Sequence, residues 1–119
     1  MARIILAEDD SSMRKFLARS MEKAGHEVIA VGDGSSALPM IQEGEYDLLL
    51  ADIVMPEMDG IELAQKAVEA QPHIKVMFIT GFAAVALQGQ NEAIRNTKVF
   101  SKPFHLKDII NKIDQLFAA

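Results

Sequence analysis

Short apolar runs alternate with longer amphipathic stretches along the chain. This alternation is typical of βαβ units, in which a helix joins each strand to the next strand of a parallel sheet. The third run, Leu48-Leu49-Leu50-Ala51, has no polar position, which indicates a strand that is covered on both faces. The pattern therefore predicts an α/β fold with five strands, at residues 4–7, 28–31, 48–51, 76–79 and 99–100.

The segments between and after these strands predict five helices. The first has an apolar stripe that ends before Gly25, a residue type suited to the position after a helix. The second is predicted over residues 35–43, where Pro39 would break an interior hydrogen bond unless it lies in the first turn, so we expect a late start. The stripe of the first helix consists of Met13, Phe16, Leu17, Met21 and Ala24.

The third helix is predicted over residues 59–70, with Asp59 as its N-cap and Pro72 beyond its end. The fourth, within residues 84–96, has the weakest pattern because residues 82–87 are almost all apolar. We interpret that run as a helix start packed in the core, and the alternative is a surface that binds a partner. The last helix has the clearest stripe, which consists of Leu106, Ile109, Ile110, Ile113 and Phe117.

The composition is that of a single soluble domain. The chain has 119 residues, of which 50% are hydrophobic and 24% are charged, and this is enough apolar material for one core. No cysteine is present, which excludes disulfides and thiolate metal sites. The first apolar run is too short for a secretory signal and no run could cross a bilayer, so a cytoplasmic protein without membrane contact is predicted. The formal net charge of −5 argues against binding to nucleic acid.

Polar side chains follow the predicted strands at the points where these end. Glu8 and Asp9 follow the first strand, Asp52 the third and Thr80 the fourth, while Lys102 lies just beyond the fifth. Because the carboxyl ends of parallel strands open on the same edge of a sheet, these side chains should converge there. Asp52 stands between a buried strand and a loop containing Pro and Gly, so we expect it to be accessible.

Three converging carboxylates repel one another and require a cation. Oxygen ligands without His or Cys favour Mg²⁺ over Zn²⁺. With its charge screened by the ion, Asp52 could act as a nucleophile towards phosphorus. Lys102 and Thr80 could then bind the phosphoryl oxygens through a charged and a neutral hydrogen bond.

In this order and spacing, the motifs closely resemble those of response-regulator receiver domains, the phosphoacceptor modules of bacterial two-component signalling. The resemblance covers essentially the whole chain. The matching pieces are Glu8-Asp9, Asp52 with Met55-Pro56 and Asp59-Gly60, Thr80-Gly81, and Lys102-Pro103-Phe104.

The resemblance implies a flavodoxin-like, doubly wound sheet with strand order 2-1-3-4-5. It implies that a histidine kinase or a histidine phosphotransfer protein phosphorylates Asp52, and that the protein is a signalling phosphoacceptor and not an enzyme. It implies Mg²⁺ on Asp9, Asp52 and the backbone carbonyl of Val54, with Glu8 holding the ion through water. It also implies a cis peptide bond between Lys102 and Pro103.

The sequence departs from the family at positions that matter for switching. Members usually carry an aromatic residue three positions before the lysine, where this chain has Val99 followed by Phe100. The departure leaves open whether the aromatic switch of the family operates here. Val54, two residues after Asp52, has no polar group that could orient an attacking water, and Gly81 leaves the site open, so a moderate phosphoryl lifetime is expected.

The chain ends directly after the last predicted helix, which predicts one receiver domain over residues 1–119 without an effector domain. Stand-alone receivers include chemotaxis regulators, phosphorelay intermediates and protease adaptors. The sequence most resembles that of regulators of ClpXP proteolysis in three segments: Ala7-Glu8-Asp9-Asp10, Thr80-Gly81-Phe82 and residues 101–106. This resemblance implies an adaptor, active when unphosphorylated, whose partners are ClpX or ClpP or their substrates and adaptors. The ending Leu116-Phe117-Ala118-Ala119 is either a recognition tag for such a protease or a frayed helix end.

Three other functions share part of this pattern. A phosphatase or phosphotransferase with Asp52 as nucleophile would usually have a second acid at position 54, where this chain has valine. A flavin carrier would need a neutral phosphate loop in place of Glu8-Asp9-Asp10. The third rival is a non-phosphorylated scaffold, which the complete acidic set disfavours.

The histidines and two of the methionines are not expected to take part in the chemistry. His26, His73 and His105 lack metal-ligand spacing and are expected at the surface or in turns. Met55 and Met58 are expected to pack beside the loop.

Overall fold

The computed structural model describes residues 1–80, 98–102 and 104–118, and it shows a five-stranded sheet of the order β2-β1-β3-β4-β5. All four neighbouring pairs are parallel, as the alternation of apolar runs and amphipathic segments predicts. The order confirms the one implied by the family resemblance. The strands are β1 (Arg3–Ala7), β2 (Glu27–Val31), β3 (Leu48–Asp52), β4 (Lys75–Thr80) and β5 (Lys98–Ser101).

Four helices lie in the described residues: α1 (Ser11–Lys23), α2 (Gly34–Glu43), α3 (Gly60–Ala70) and the C-terminal α4 (Leu106–Leu116). An aspartate side chain caps the amino end of each of the first three, and these caps are Asp10, Asp33 and Asp59. The helix predicted within residues 84–96 lies outside the described residues. None of the helices in the described ranges has the length and apolarity needed to span a bilayer.

The core consists of two layers, one on each face of the sheet. One layer joins α2 and α3 to side chains such as Ile5, Leu49 and Phe78, while the other joins α1 and α4 to Leu6 and Leu50, among others. The apolar residues of β3 are completely buried, because both layers cover this central strand. Helices on both faces confirm the doubly wound arrangement.

Two details of the predicted helices were wrong. The second helix does not start late: it begins at Gly34, so Pro39 lies in its second turn. The cap from Asp33 and the buried side chains of Ala37 and Ile41 hold the helix although proline supplies no backbone donor. Phe16 does not join the core of α1 but is 52% exposed.

His26 lies in the turn between α1 and β2, as the prediction of a surface or turn residue allows, but its side chain is not at the surface. Its side chain is buried between β1 and α4: Nδ1 accepts a hydrogen bond from the backbone N–H of Ala2 at 3.0 Å, and Nε2 lies 3.2 Å from Asp114 Oδ1. Since Nδ1 accepts, Nε2 carries the proton and donates to the carboxylate. Through these two hydrogen bonds, His26 links the amino edge of the sheet to α4.

Candidate functional site

The polar residues that follow the strands do meet at the carboxyl edge of the sheet. Carboxylate oxygens of Glu8, Asp9 and Asp52 lie within 4.8 Å of one another. Asp52 is the last residue of β3, and Thr80 is the last residue of the neighbouring β4. Lys102, directly after β5, completes the group. The sheet topology thus brings together residues that are up to 94 positions apart, from Glu8 to Lys102.

The ammonium group of Lys102 lies between two of the three carboxylates. Its Nζ donates a hydrogen bond to Asp52 Oδ2 at 3.0 Å and lies 3.1 Å from Glu8 Oε1. Asp52 is only 4% exposed, so the expectation of an accessible Asp52 was wrong. The carboxylate is buried because Lys102 and the end of β1 flank it. The sequence shows only that Asp52 comes directly before an open loop.

Glu8 is completely buried, and its pKa is raised to about 7. Burial is the largest cause, followed by a hydrogen bond with Asp52, while the contacts with Asp10 and Lys102 lower the pKa by less. For Lys102, burial lowers the pKa, but the hydrogen bond to Asp52 and the ionic contacts with Asp52 and Glu8 outweigh this effect, so that the net shift is upward. Among the described residues, the site thus has three carboxylates against one lysine, and the charge of Asp52 contributes to the raised pKa of Glu8.

The donor set fits a divalent cation of the Mg²⁺ type. Only oxygen ligands converge, and among the described residues Glu8 Oε1 has no hydrogen bond, although it is buried. Oε1 does form an ion pair with Lys102 Nζ at 3.1 Å. A buried acceptor without a hydrogen bond next to two further carboxylates is a suitable place for a cation or its bound water.

Backbone contacts fix the position of Asp52. Its Oδ1 accepts a hydrogen bond from the N–H of Val54 at 3.1 Å, and the N–H of Gly60 binds the carbonyl of Ile53 at 2.8 Å. A Cβ atom on Gly60 would lie 2.3 Å from the carbonyl oxygen of Asp52. Gly60 thus permits the start of α3 to approach the backbone of Asp52, a role that its place in the motif does not reveal.

The other predicted site residues are placed as follows. Thr80 is fully buried at the end of β4, and its carbonyl accepts a hydrogen bond from the N–H of Lys102 at 2.8 Å. Val54 lies in the loop after β3 and is 51% exposed, and the role of its carbonyl as a ligand stays a prediction. Gly81, Pro103 and the predicted cis bond at Pro103 lie outside the described residues, as does Ala119. Met55 and Met58 pack beside the loop as predicted.

Sequence comparison decides the family. The sequence profile of the response regulator receiver domain matches residues 4–114, which is most of the chain. The chain belongs to the response regulator receiver family. It is therefore a receiver domain of two-component signalling, as the strand-end motifs predicted.

Individual relatives agree with this assignment. The receiver is 56% identical over 119 residues to the response regulator receiver protein CpdR of Brucella abortus, covering all of this chain and 99% of CpdR. It is also similar to the crystal structure of the receiver domain of the hybrid histidine kinase CckA, with a TM-score of 0.80, 31% identity and coverage of 95% and 96%. A third match is the response regulator TrrA of Thermotoga maritima in complex with Mg²⁺ and BeF, with a TM-score of 0.88, 24% identity and coverage of 98% and 100%, which shows the shared fold.

Proposed function

We propose that this receiver is a single-domain response regulator that accepts a phosphoryl group on Asp52 in the presence of Mg²⁺. The observation that carries the proposal is the convergence of three carboxylates and Lys102 at one edge of the sheet. Glu8, Asp9 and Asp52, with the carbonyl of Val54, would hold the ion. When bound, Mg²⁺ screens the carboxylates and neutralises charge on the phosphoryl oxygens.

The side chains supply the remaining chemistry. A carboxylate oxygen of Asp52 forms a bond to phosphorus while the bond from phosphorus to the donor breaks, and the leaving group keeps that electron pair. For a phosphohistidine donor the leaving group is an imidazole, which takes a proton from solvent. Lys102 Nζ, now 3.0 Å from Asp52, then binds a phosphoryl oxygen, as does the hydroxyl of Thr80. Each protein molecule accepts one phosphoryl group on its own Asp52, so the protein is a phosphoacceptor and not an enzyme.

The phosphodonor is a histidine kinase or a histidine phosphotransfer protein. Helix α1 begins beside the acidic residues and offers a surface for such a protein, since Phe16 is 52% exposed and Lys15 and Arg19 are exposed beside it. Close similarity to the receiver domain of a hybrid histidine kinase supports a place in a phosphorelay.

Phosphorylation changes contacts with other proteins, and the receiver acts as an adaptor for regulated proteolysis by ClpXP. Full-length similarity to CpdR and the sequence resemblance to ClpXP regulators support this output. The readout surface comprises β5 and α4, where Lys98 and Phe100 border a groove with Lys112. The helix predicted within residues 84–96, which the family resemblance adds to this surface, lies outside the described residues. A phosphorelay intermediate or a chemotaxis-type regulator is the alternative, and a non-phosphorylated scaffold is a further one.

Two experiments test the proposal in sequence. Intact mass is measured after incubation with Mg²⁺ and a small acyl phosphate, and one added phosphoryl group is expected. Degradation of a candidate substrate by purified ClpXP is then compared with the unphosphorylated and phosphorylated receiver, and only the unphosphorylated form should accelerate it. A phosphorylated receiver that never alters ClpXP activity would favour the relay intermediate, whereas no mass gain would favour the scaffold.

The raised pKa of Glu8 gives a prediction for pH. Without metal, the folded protein keeps a proton on Glu8 up to a pKa of about 7, whereas the unfolded chain releases it near the ordinary value of 4.5. The contribution of Glu8 to stability therefore falls as the pH rises between these values. Thermal unfolding in EDTA should show this as a pH-dependent difference between the wild type and Glu8→Gln, and parallel curves for the two proteins would contradict it.

The same proton competes with Mg²⁺. A single competing proton with a pKa of about 7 predicts Mg²⁺ binding that is weaker at pH 6 than at pH 8 by up to about tenfold. Calorimetric titration at the two pH values measures this ratio. Glu8→Gln serves as the control, because its Mg²⁺ affinity should depend much less on pH in this range.

A further inference from the structure

Arg14 lies one turn into α1 and reaches back to the end of β1. Its Nη1 donates a hydrogen bond to the backbone carbonyl of Glu8 at 2.8 Å. Side chains on a helix point towards its amino end, which is the direction of the acidic residues here. None of the ion pairs between described residues includes Arg14, so the guanidinium is directed at a neutral carbonyl and not at a carboxylate.

That carbonyl belongs to the peptide group between Glu8 and Asp9. Glu8 has further restraints: its N–H binds the carbonyl of Val31 at 3.1 Å, and its Oε2 accepts from the N–H of Asp10 at 3.2 Å. Asp9, in contrast, is exposed and makes no hydrogen bond or ion pair with the residues that the structure describes. Among the described residues, the contacts that restrain Asp9 therefore act through its backbone, which includes the peptide group that Arg14 holds.

A second residue makes room for this contact. Gly32 follows β2, and a Cβ atom there would lie 3.1 Å from Arg14 Nη1 and 3.8 Å from its Cζ. The φ angle of Gly32 is not in the left-handed region, so its backbone conformation does not require glycine. The missing side chain at position 32 instead leaves space for the guanidinium.

We propose that Arg14 is a positioning residue for the Mg²⁺ site, which acts by fixing the Glu8–Asp9 peptide group in the space that Gly32 leaves open. The inference rests on the proposed function, since it assumes that Asp9 is a ligand. Residues that orient ligands typically change metal affinity by 10-fold to 100-fold when replaced. Because Arg14 orients one of three carboxylates, and through the backbone, an effect at the lower end is expected.

The test uses two variants that leave the net charge unchanged. Arg14→Lys retains a cation but shortens the side chain and removes the planar donor, and Gly32→Ala leaves Arg14 in place but crowds its Nη1. The control is Arg19→Lys, the same chemical change at an exposed position of the same helix. Mg²⁺ dissociation constants are measured by calorimetric titration at pH 8, and thermal unfolding is measured in EDTA.

We expect Mg²⁺ binding about tenfold weaker in Arg14→Lys, weaker by a smaller factor in Gly32→Ala, and unchanged in Arg19→Lys. Thermal unfolding in EDTA should be similar in all four proteins, which separates positioning from general destabilisation. A dissociation constant equal to that of the wild type in either Arg14→Lys or Gly32→Ala overturns the inference. No Mg²⁺ binding by the wild type would instead overturn the proposed metal site itself.

Discussion

The Asp52→Asn variant is expected to gain no mass on incubation with Mg²⁺ and a small acyl phosphate, while the wild type gains one phosphoryl group. An amide lacks the anionic oxygen that attacks phosphorus, and no other carboxylate is expected to receive the Lys102 and Thr80 contacts once Asp52 is changed. Intact-mass spectrometry measures the difference. This is the largest expected effect, because it is the loss of the whole reaction.

The fold should survive this change, because the amide oxygen can still accept from the N–H of Val54 and Lys102 keeps its ion pair with Glu8. Circular dichroism and thermal unfolding check that point. Asp108→Asn is the matched control, since Asp108 is an exposed aspartate in the first turn of α4 and its loss should leave phosphorylation unchanged. Retention of one phosphoryl group in Asp52→Asn would assign the reaction to another residue.

The second large effect is expected for Gly60→Ala. The added Cβ would lie 2.3 Å from the carbonyl oxygen of Asp52 and 2.9 Å from Ile53 Cα. Both are backbone atoms at the end of a buried strand, so the helix and the strand have to move apart. Overpacking of this kind costs about 1–3 kcal/mol of unfolding free energy. Urea denaturation measures the loss, and phosphorylation should slow because the same shift moves Asp52.

Gly25→Asn is the control for Gly60→Ala. Gly25 has a φ of 99°, but a Cβ there meets nothing within 4 Å, and asparagine tolerates positive φ better than most residues. Its loss of stability should come from backbone strain alone, and its phosphorylation rate should equal that of the wild type. Equal stability of Gly60→Ala and the wild type would mean that the close approach at Asp52 is not needed.

The sequence was most informative where one physical effect dominates. Residues 48–51 of β3 are uniformly apolar because both faces of the strand are covered, and the structure buries all of them. Asp59 caps α3 as predicted, since an N-cap depends only on local backbone geometry. The convergence of the site residues could be predicted because parallel strands place their carboxyl ends at a single edge of the sheet.

The prediction failed where distant residues decide the outcome. Asp52 is buried because Lys102, 50 positions later, lies against it, and His26 is buried because Ala2 and Asp114 bind its two nitrogens. Phe16 has the spacing of a core residue, yet the core layer beneath α1 is filled by Leu17 and Met21. The sequence did not indicate a role for Arg14, because a single arginine on an amphipathic helix belongs to no motif. Its contact with a carbonyl of the neighbouring loop is visible only in the structure.

The hydrogen bond between Ala2 and His26 has a practical consequence for labelling. Ala2 is 1% exposed and fixed at the amino edge of the sheet, whereas Met1 beside it is 93% exposed. A fluorophore or affinity tag joined ahead of Met1 would therefore extend into solvent from a rigid anchor. Six residue steps along β1 separate Ala2 from Glu8, a distance of about 20 Å. Surface immobilisation through that end should leave the carboxylate edge free for donor proteins.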